Sequence, residues 1–362
     1  MSSITKYLSG TDNTPPAKRK PRYRVQYTDP SGKRRTKTGF VTKKAAEHWS
    51  AENLLERNTG SYIDPSRGNR TVGKVGAAWL ESQTHLKPST FTLAESTWRV
   101  HVLPRWGEVR VSEVTAGDVE QWAHGIEAGT ATKRRAVAQL KQIMDRAVRD
   151  KLIYSNPVGA VKLPAKPPAR RVYLSWGQLQ TLAANSAHPD IVLTLGTVGL
   201  RWGELAGLRV MDVDVKRRRL HIRQNAVRVR GRIVLGTPKT HEARTVAVSQ
   251  RVLDLIAPLL EGKAPTALVW AQGDGTALKP PGHGKWLDTA VKRCQAEDAT
   301  FPRVTAHGLR HVAAGIMVNE MRATPKTVQR QLGHASAAMT LDTYADLFDG
   351  ALDEISAGFD AL

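Results

Sequence analysis

The chain has 362 residues, 41% of them hydrophobic. At roughly 100–200 residues per domain this is enough for two or three domains with real cores, and it excludes a short peptide or a disordered tail. Its 54 basic and 33 acidic residues leave a net charge of +21, far more than solubility needs, so the expected partner is a polyanion: nucleic acid first, an anionic membrane surface second. One cysteine, Cys294, excludes a disulfide framework and any multi-thiolate metal site.

The first twenty residues lack the apolar core of a signal peptide, and the longest apolar stretch, 191–200, is too short to span a bilayer, so a cytoplasmic protein with no membrane partner is expected. From Lys18 to Lys44 there are eleven basic residues against one acid, Asp29. Tyr23, Val25 and Tyr27 alternate with Arg22, Arg24 and Gln26, and this period of two predicts a half-buried strand. Asp29-Pro30-Ser31-Gly32 is a turn sequence, Lys33 to Phe40 returns as a second strand, and Lys43 to Arg57 reads as a helix with Ala46, Trp49, Leu54 and Leu55 as its apolar face. The product is a small basic sheet with one helix, residues 1–65. It reads as a DNA-binding module with Arg22, Arg24, Arg34, Arg35 and Lys37 as its cations.

Asp64 to Asn69 has linker composition, and residues 70–162 read as all-helical, with helices near Val72 to Gln83, Ser89 to Val102, Thr115 to Ile126 and Thr130 to Lys151. Thr115 with Asp118 resembles a capping box. In the last helix Val137, Leu140, Ile143, Met144 and Ala147 recur at intervals of three and four, while Lys133, Arg134 and Arg135 fall elsewhere and are candidates for phosphate contact. The proline-rich stretch 163–171 is a second linker. Beyond it, 172–350 reads as a mixed, mainly α domain. Helices are expected at Ser175 to Ala187 and Asp190 to Gly199, strands at Leu220 to Arg230, Gly231 to Gly236 and Arg244 to Val248, and helices near Gln250 to Leu260, His283 to Ala296, His307 to Glu320, Thr324 to Leu332 and Ala337 to Phe348. The charge divides as +9 before residue 71, +4 over 71–162 and +8 thereafter.

Several familiar motifs are absent. GTVGLRWG (196–203) lacks the spacing of a dinucleotide-binding turn, and GTPKT (236–240) lacks that of a phosphate-cradling loop, so no nucleotide-driven engine or cofactor is indicated. His307 and His311 are spaced to ligate a metal from one helix face, but Gly308 stands where a zinc protease carries glutamate. No acidic cluster suits a two-metal nuclease.

Three segments do carry a pattern: Gly199-Leu200-Arg201-Trp202-Gly203-Glu204-Leu205, Ala306-His307-Gly308-Leu309-Arg310-His311, and Leu332-Gly333-His334 ten residues ahead of Tyr344. In this order and spacing they resemble the tyrosine recombinases, the phage integrases in particular, and the resemblance extends across nearly the whole chain. It implies a multidomain α+β fold: a β-sheet-plus-helix arm-type DNA-binding domain (1–65), an all-α SAM-like core-binding domain (70–162), a linker (163–171), a catalytic domain with a small antiparallel sheet (172–350) and an acidic tail (351–362). Gly308 departs from the pattern, since many relatives have aspartate there.

The chemistry has a physical logic of its own. Attack on a phosphodiester builds charge on nonbridging oxygens, which fixed guanidinium groups can bind bidentately, so Arg201 and Arg310 are the expected clamp and Glu204 orients Arg201. Tyr344 is the expected nucleophile, and a phenol with an ordinary pKa of about 10 needs an acceptor or a positive field when it attacks. His307 and His334 hold phosphate or move protons; which of them serves as base stays open. The resemblance further implies a lysine on a β turn as general acid for the 5′ oxygen, here Lys239. It also implies a homotetramer on double-stranded DNA with core-type and arm-type sites, exchange through a Holliday junction, and host DNA-bending and excision-directionality proteins as further partners. A type IB topoisomerase and a non-enzymatic architectural protein are the alternatives.

Overall fold

The computed structural model describes residues 2–9, 20–29, 32–58, 69–165, 171–236, 243–347 and 359–360. The chain forms two compact units, Met1–Lys166 and Pro167–Leu362. The first contains an antiparallel sheet, β1 (Ser3–Ser9), β2 (Lys20–Thr28) and β3 (Arg34–Phe40), with β2 in the middle, followed by α1 (Lys43–Asn58). β1 is an element that the sequence reading does not contain, because Ile4 and Tyr7 break the alternation. Val25, Tyr27 and Ala46 are buried between sheet and helix, and Trp49 packs edge-on against Tyr27 at 5.3 Å between ring centres. The helix face differs from expectation: Leu54 and Leu55 are exposed, and among the described side chains of the helix Ala46 and Asn53, seven residues apart, are the buried positions. Two full turns separate these two, whereas Leu54 and Leu55 lie further round the helix.

Register splits the basic residues of this sheet between two faces. Facing residues of an antiparallel pair share a side. Arg22 and Arg24 lie opposite Tyr7 and Thr5, and Arg34 opposite Thr28, all on the side away from the buried face. Arg35 and Lys37 stand opposite Tyr27 and Val25. A bulge at Gly39 (φ +101°) absorbs the extra residue of β3. Arg35 Nε also donates to the buried Asp29 at 3.0 Å, which commits part of that guanidinium to structure.

The rest of this unit is a helical bundle: α2 (Val72–Glu81), α3 (Pro88–Thr97) running through a π-helical turn (Trp98–Val102) into α4 (Leu103–Trp106), α5 (Ala116–Gly125) and α6 (Thr130–Arg149). Its core holds Trp79, Trp98 and Trp106 against Leu140, Ile143 and Met144, so the stripe expected on α6 is the one that packs. Thr115 accepts from the Asp118 backbone N–H at 3.2 Å and donates its hydroxyl to the Asp118 carboxylate, a cap in which the acid grips the hydroxyl. Lys133 donates to the His124 carbonyl at 2.8 Å and Arg134 to the Pro164 carbonyl at 2.7 Å. The third member of this basic triplet, Arg135, is exposed and has no such tie among the described residues.

In the second unit α7 (Trp176–Ala184), α8 (Pro189–Val198) and the short α9 (Trp202–Ala206) lead into β4 (Val213–Asp214), β5 (Arg219–Ile222), β6 (Asn225–Val229), β7 (Arg232–Gly236) and β8 (Arg244–Ala247). The expected single strand from Leu220 to Arg230 is broken: β5 pairs with β4 and β8, while β6 forms a separate hairpin with β7. Gln224, at the break, donates to the Gly207 carbonyl at 2.7 Å, so the chain there is bonded to α9's end instead of a neighbouring strand. Then come α10 (Gln250–Leu260), α11 (Trp286–Glu297), α12 (Gly308–Gly315) with a π-helical extension to Glu320, α13 (Pro325–Leu332) and α14 (Ala337–Tyr344). The main core joins α7, α8, α10, α11 and α12 to the three-stranded sheet, and a smaller cluster of Ala313, Met317, Val328, Leu332 and Tyr344 binds α13 and α14 to α12. No helix among the described residues is long and apolar enough to cross a membrane.

Candidate active site

Two left-handed glycines position the site. α8 ends at Gly199 (φ +75°), and two residues later Arg201 lies extended as the N-cap of α9. α13 ends at Gly333 (φ +70°), and His334 follows directly. Glycine adopts these angles without the steric penalty that a Cβ brings. At Gly199 space is also decisive, because a Cβ would meet the Leu332 side chain, and its carbonyl accepts from Arg310 Nη1 at 2.6 Å. The turn that delivers one arginine therefore anchors the other.

Glu204, 1% exposed, is the centre of this charge cluster. It accepts from the Arg201 backbone N–H at 2.9 Å, from Arg201 Nη1 at 2.8 Å, and from both terminal nitrogens of Arg244 at 2.9 and 2.8 Å. Burial by itself raises the carboxyl pKa; the hydrogen bonds and charge of Arg244, with the backbone bond and charge of Arg201, outweigh it and hold the pKa at about 2. Arg310, 3% exposed, is brought down to about 10 by burial and by the charge of Arg201, and still carries its proton at neutral pH. Among the described residues neither Arg310 Nη2 nor Arg244 Nε, both buried, has a hydrogen-bond partner. Buried cationic donors left open in this way are suited to an anion with several oxygens.

His307, at the N-cap of α12, is pushed below its ordinary pKa by burial and by the charges of Arg310 and Arg201. His334 is lowered to about 4 by burial, then by Arg310, Arg201 and Arg244, and its Nδ1 is 2.8 Å from the buried Thr340 hydroxyl. Both shifts favour the neutral imidazole, whose N–H can donate to a phosphate oxygen. Tyr344 is 1% exposed; its ring stacks on His334 at 6.0 Å and 16°, and its Oη shares a 3.0 Å hydrogen bond with His311 Nδ1. His307 lies edge-on to His311 at 5.3 Å.

Five of the six residues expected to carry chemistry, Arg201, His307, Arg310, His334 and Tyr344, therefore converge in one unit. Lys239 lies outside the described residues. The candidate DNA contacts Arg22, Arg24, Arg34, Arg35, Lys37, Lys133, Arg134 and Arg135 belong to the first unit. Two contributors escape the sequence reading. Arg244 is one cation among many in a basic chain, and only its place at the head of β8, where it reaches Glu204, sets it apart. His311 is visible as half of an i, i+4 pair, but its partner Tyr344 is 33 residues away. Among the described residues no group of three His, Cys, Asp or Glu side chains is arranged to hold a metal ion.

Residues 180–350 match the phage integrase family. The integrase of Mycobacterium phage L5 is 29% identical over 322 residues, 83% of this chain and 84% of that protein. The tyrosine recombinase XerC of Mycobacterium bovis (strain BCG / Pasteur 1173P2) is 32% identical over 234 residues, 60% of this chain and 72% of that protein. The chain belongs to the tyrosine recombinase family. Solved structures of tyrosine recombinases share its fold. The Tn1549 transposon integrase in complex with a circular intermediate DNA superposes with a TM-score of 0.68 at 22% identity, covering 81% of this chain and 99% of that one. The lambda integrase tetramer bound to a Holliday junction superposes with a TM-score of 0.57 at 16% identity, covering 90% and 97%.

Proposed function

We propose that this tyrosine recombinase is an integrase that cleaves and rejoins DNA at specific sites through a 3′-phosphotyrosyl intermediate, inserting and excising phage or mobile-element DNA in a bacterial cytoplasm. The observation that carries the reading is the pair of guanidinium groups, Arg201 and Arg310, in one charge cluster with the buried Tyr344, the second of them with an open buried donor. Arg201 and Arg310 bind the nonbridging oxygens of the scissile phosphate as charge builds there, and His307 and His334, held neutral, add hydrogen bonds. Tyr344 Oη attacks phosphorus, the bond to the 5′ oxygen breaks, and Lys239 protonates that oxygen. Because the phosphotyrosine retains the bond energy, rejoining is the same step reversed.

In this reading residues 1–65 bind arm-type sites, 70–162 and 172–350 grip the core site, and four copies exchange strands through a Holliday junction, as the assembly described for lambda integrase suggests. The acidic tail, 351–362, docks on protein. A host bending protein and a directionality factor complete the partners. A core-site duplex nicked beside the cleavage point, which traps the covalent intermediate, tests the chemistry. Wild type is expected to give a protein–DNA adduct and Tyr344→Phe none; an adduct that persists in Tyr344→Phe overturns the assignment.

A further inference from the structure

Tyr344 needs a proton acceptor, and the sequence leaves the choice between His307 and His334. The fold supplies a third imidazole with better geometry. His311 lies one helical turn beyond His307 on α12, beside Arg310, and its Nδ1 is 3.0 Å from Tyr344 Oη. His334 instead presents its ring face to the tyrosine, nearly parallel at 16°, and engages Thr340 through Nδ1. His307 meets His311 edge-on. A nucleophile and base in hydrogen-bond contact form the minimum unit of an activated side chain.

From this geometry we infer that His311 is the catalytic base of the cleavage step, taking the phenolic proton of Tyr344 on Nδ1. The inference rests on the reading of Tyr344 as nucleophile. In the forward step the Oη–H bond breaks with its proton passing to His311 Nδ1, the Oη–P bond forms, the P–O5′ bond breaks, and the 5′ oxygen takes a proton from Lys239. In rejoining, the 5′ hydroxyl returns its proton to Lys239 and His311 returns its own to the leaving phenolate. Two features suit His311 to the task. Arg310, which adjoins it in sequence, interacts with Tyr344 by charge and so sets a cation beside the reacting pair. The tyrosine is itself buried and in direct hydrogen-bond contact with His311, so the proton has a short path.

His311→Gln can keep a hydrogen bond to Tyr344 but cannot take up a proton. It is expected to slow adduct formation on the nicked core-site duplex about 100-fold, within the range general bases contribute, with core-site affinity unchanged. Replacing Tyr344 by 3,5-difluorotyrosine, whose phenol is more acidic, should restore most of that loss in the His311→Gln chain. A His311→Gln chain that cleaves at the wild-type rate, or one that difluorotyrosine leaves as slow as before, overturns the role of His311. A second measurement needs no change at position 311. The ¹⁵N shift of His311 Nδ1 in wild type must be that of an unprotonated acceptor and must move in Tyr344→Phe, and a protonated Nδ1 at neutral pH rejects the proposal. An adduct in Tyr344→Phe would instead reject the nucleophile itself, so the two failures are distinguishable.

Discussion

A carboxylate is costly to bury, and Glu204 is tolerated in the second unit because donors from two arginines converge on it. Removing its charge leaves the guanidinium groups of Arg201 and Arg244 facing each other and Arg310. Glu204→Gln is therefore expected to cost about 3 kcal/mol at neutral pH, as breaking a buried pair does. Its folded-state pKa of about 2 lies below the ordinary 4.5, so the unfolded chain takes up the proton first. The stabilisation is fully present above pH 4.5 and is lost as pH falls from there toward 2. Urea unfolding across that window should show the wild-type advantage over Glu204→Gln shrinking steadily; an undiminished gap at about pH 3 would mean that the ion pairs do not set it. Why Arg201 and Arg310 are legible in sequence and Arg244 is not follows from the same cluster. The first two sit in local motifs, Arg201 two residues from a glycine on either side and Arg310 beside a histidine, whereas Arg244 acquires its role only by reaching a carboxylate 40 residues earlier in the chain.

At the scale of elements, helix ends deliver the reactive groups. α8 and α13 both stop at a left-handed glycine, and the Arg244 side chain passes directly over the second: a Cβ on Gly333 would lie 2.6 Å from Arg244 Cδ. Gly333→Ala thus combines two costs, roughly 1–2 kcal/mol for alanine in the left-handed region and displacement of Arg244 from Glu204. Gly262, with φ +68° and nothing within 4 Å of its would-be Cβ, separates them. Gly262→Ala should lose only the backbone cost and cleave normally, while Gly333→Ala should lose more stability and at least about tenfold in cleavage, within the reach of a small misplacement of catalytic groups. Equal behaviour of the two variants in urea unfolding and adduct formation would show that the contact is unimportant. Helices are readable because their apolar periodicity is local, as on α6. The strands after α9 are less so: the run from Leu220 to Arg230 has no glycine or proline to mark the break at Gln224, and only the choice of partners, β8 for one half and β7 for the other, divides it.

At the scale of the whole molecule, the +21 charge is distributed by the fold. The register of β1, β2 and β3 puts Arg22, Arg24 and Arg34 on the side away from the buried face, while Arg35 is partly committed to Asp29, and the helical core of 72–158 contains no residue of the sheet. If residues 1–65 bind arm-type DNA as proposed, that binding is expected to be separable from binding to core-type DNA. Alanine at Arg22, Arg24 and Arg34 together should weaken arm-type binding and make the slope of log affinity against log salt shallower by about 3, near one unit for each phosphate that is no longer neutralised. Core-type binding should keep its affinity and slope. Arg35→Ala should act differently, leaving a buried carboxylate without one of its partners and lowering stability more than the salt slope. If the triple variant loses core-type and arm-type binding alike, the division of the chain into two DNA-reading parts fails. If Arg35→Ala reduces the arm-type slope by a full unit at unchanged stability, that arginine faces DNA despite its bond to Asp29.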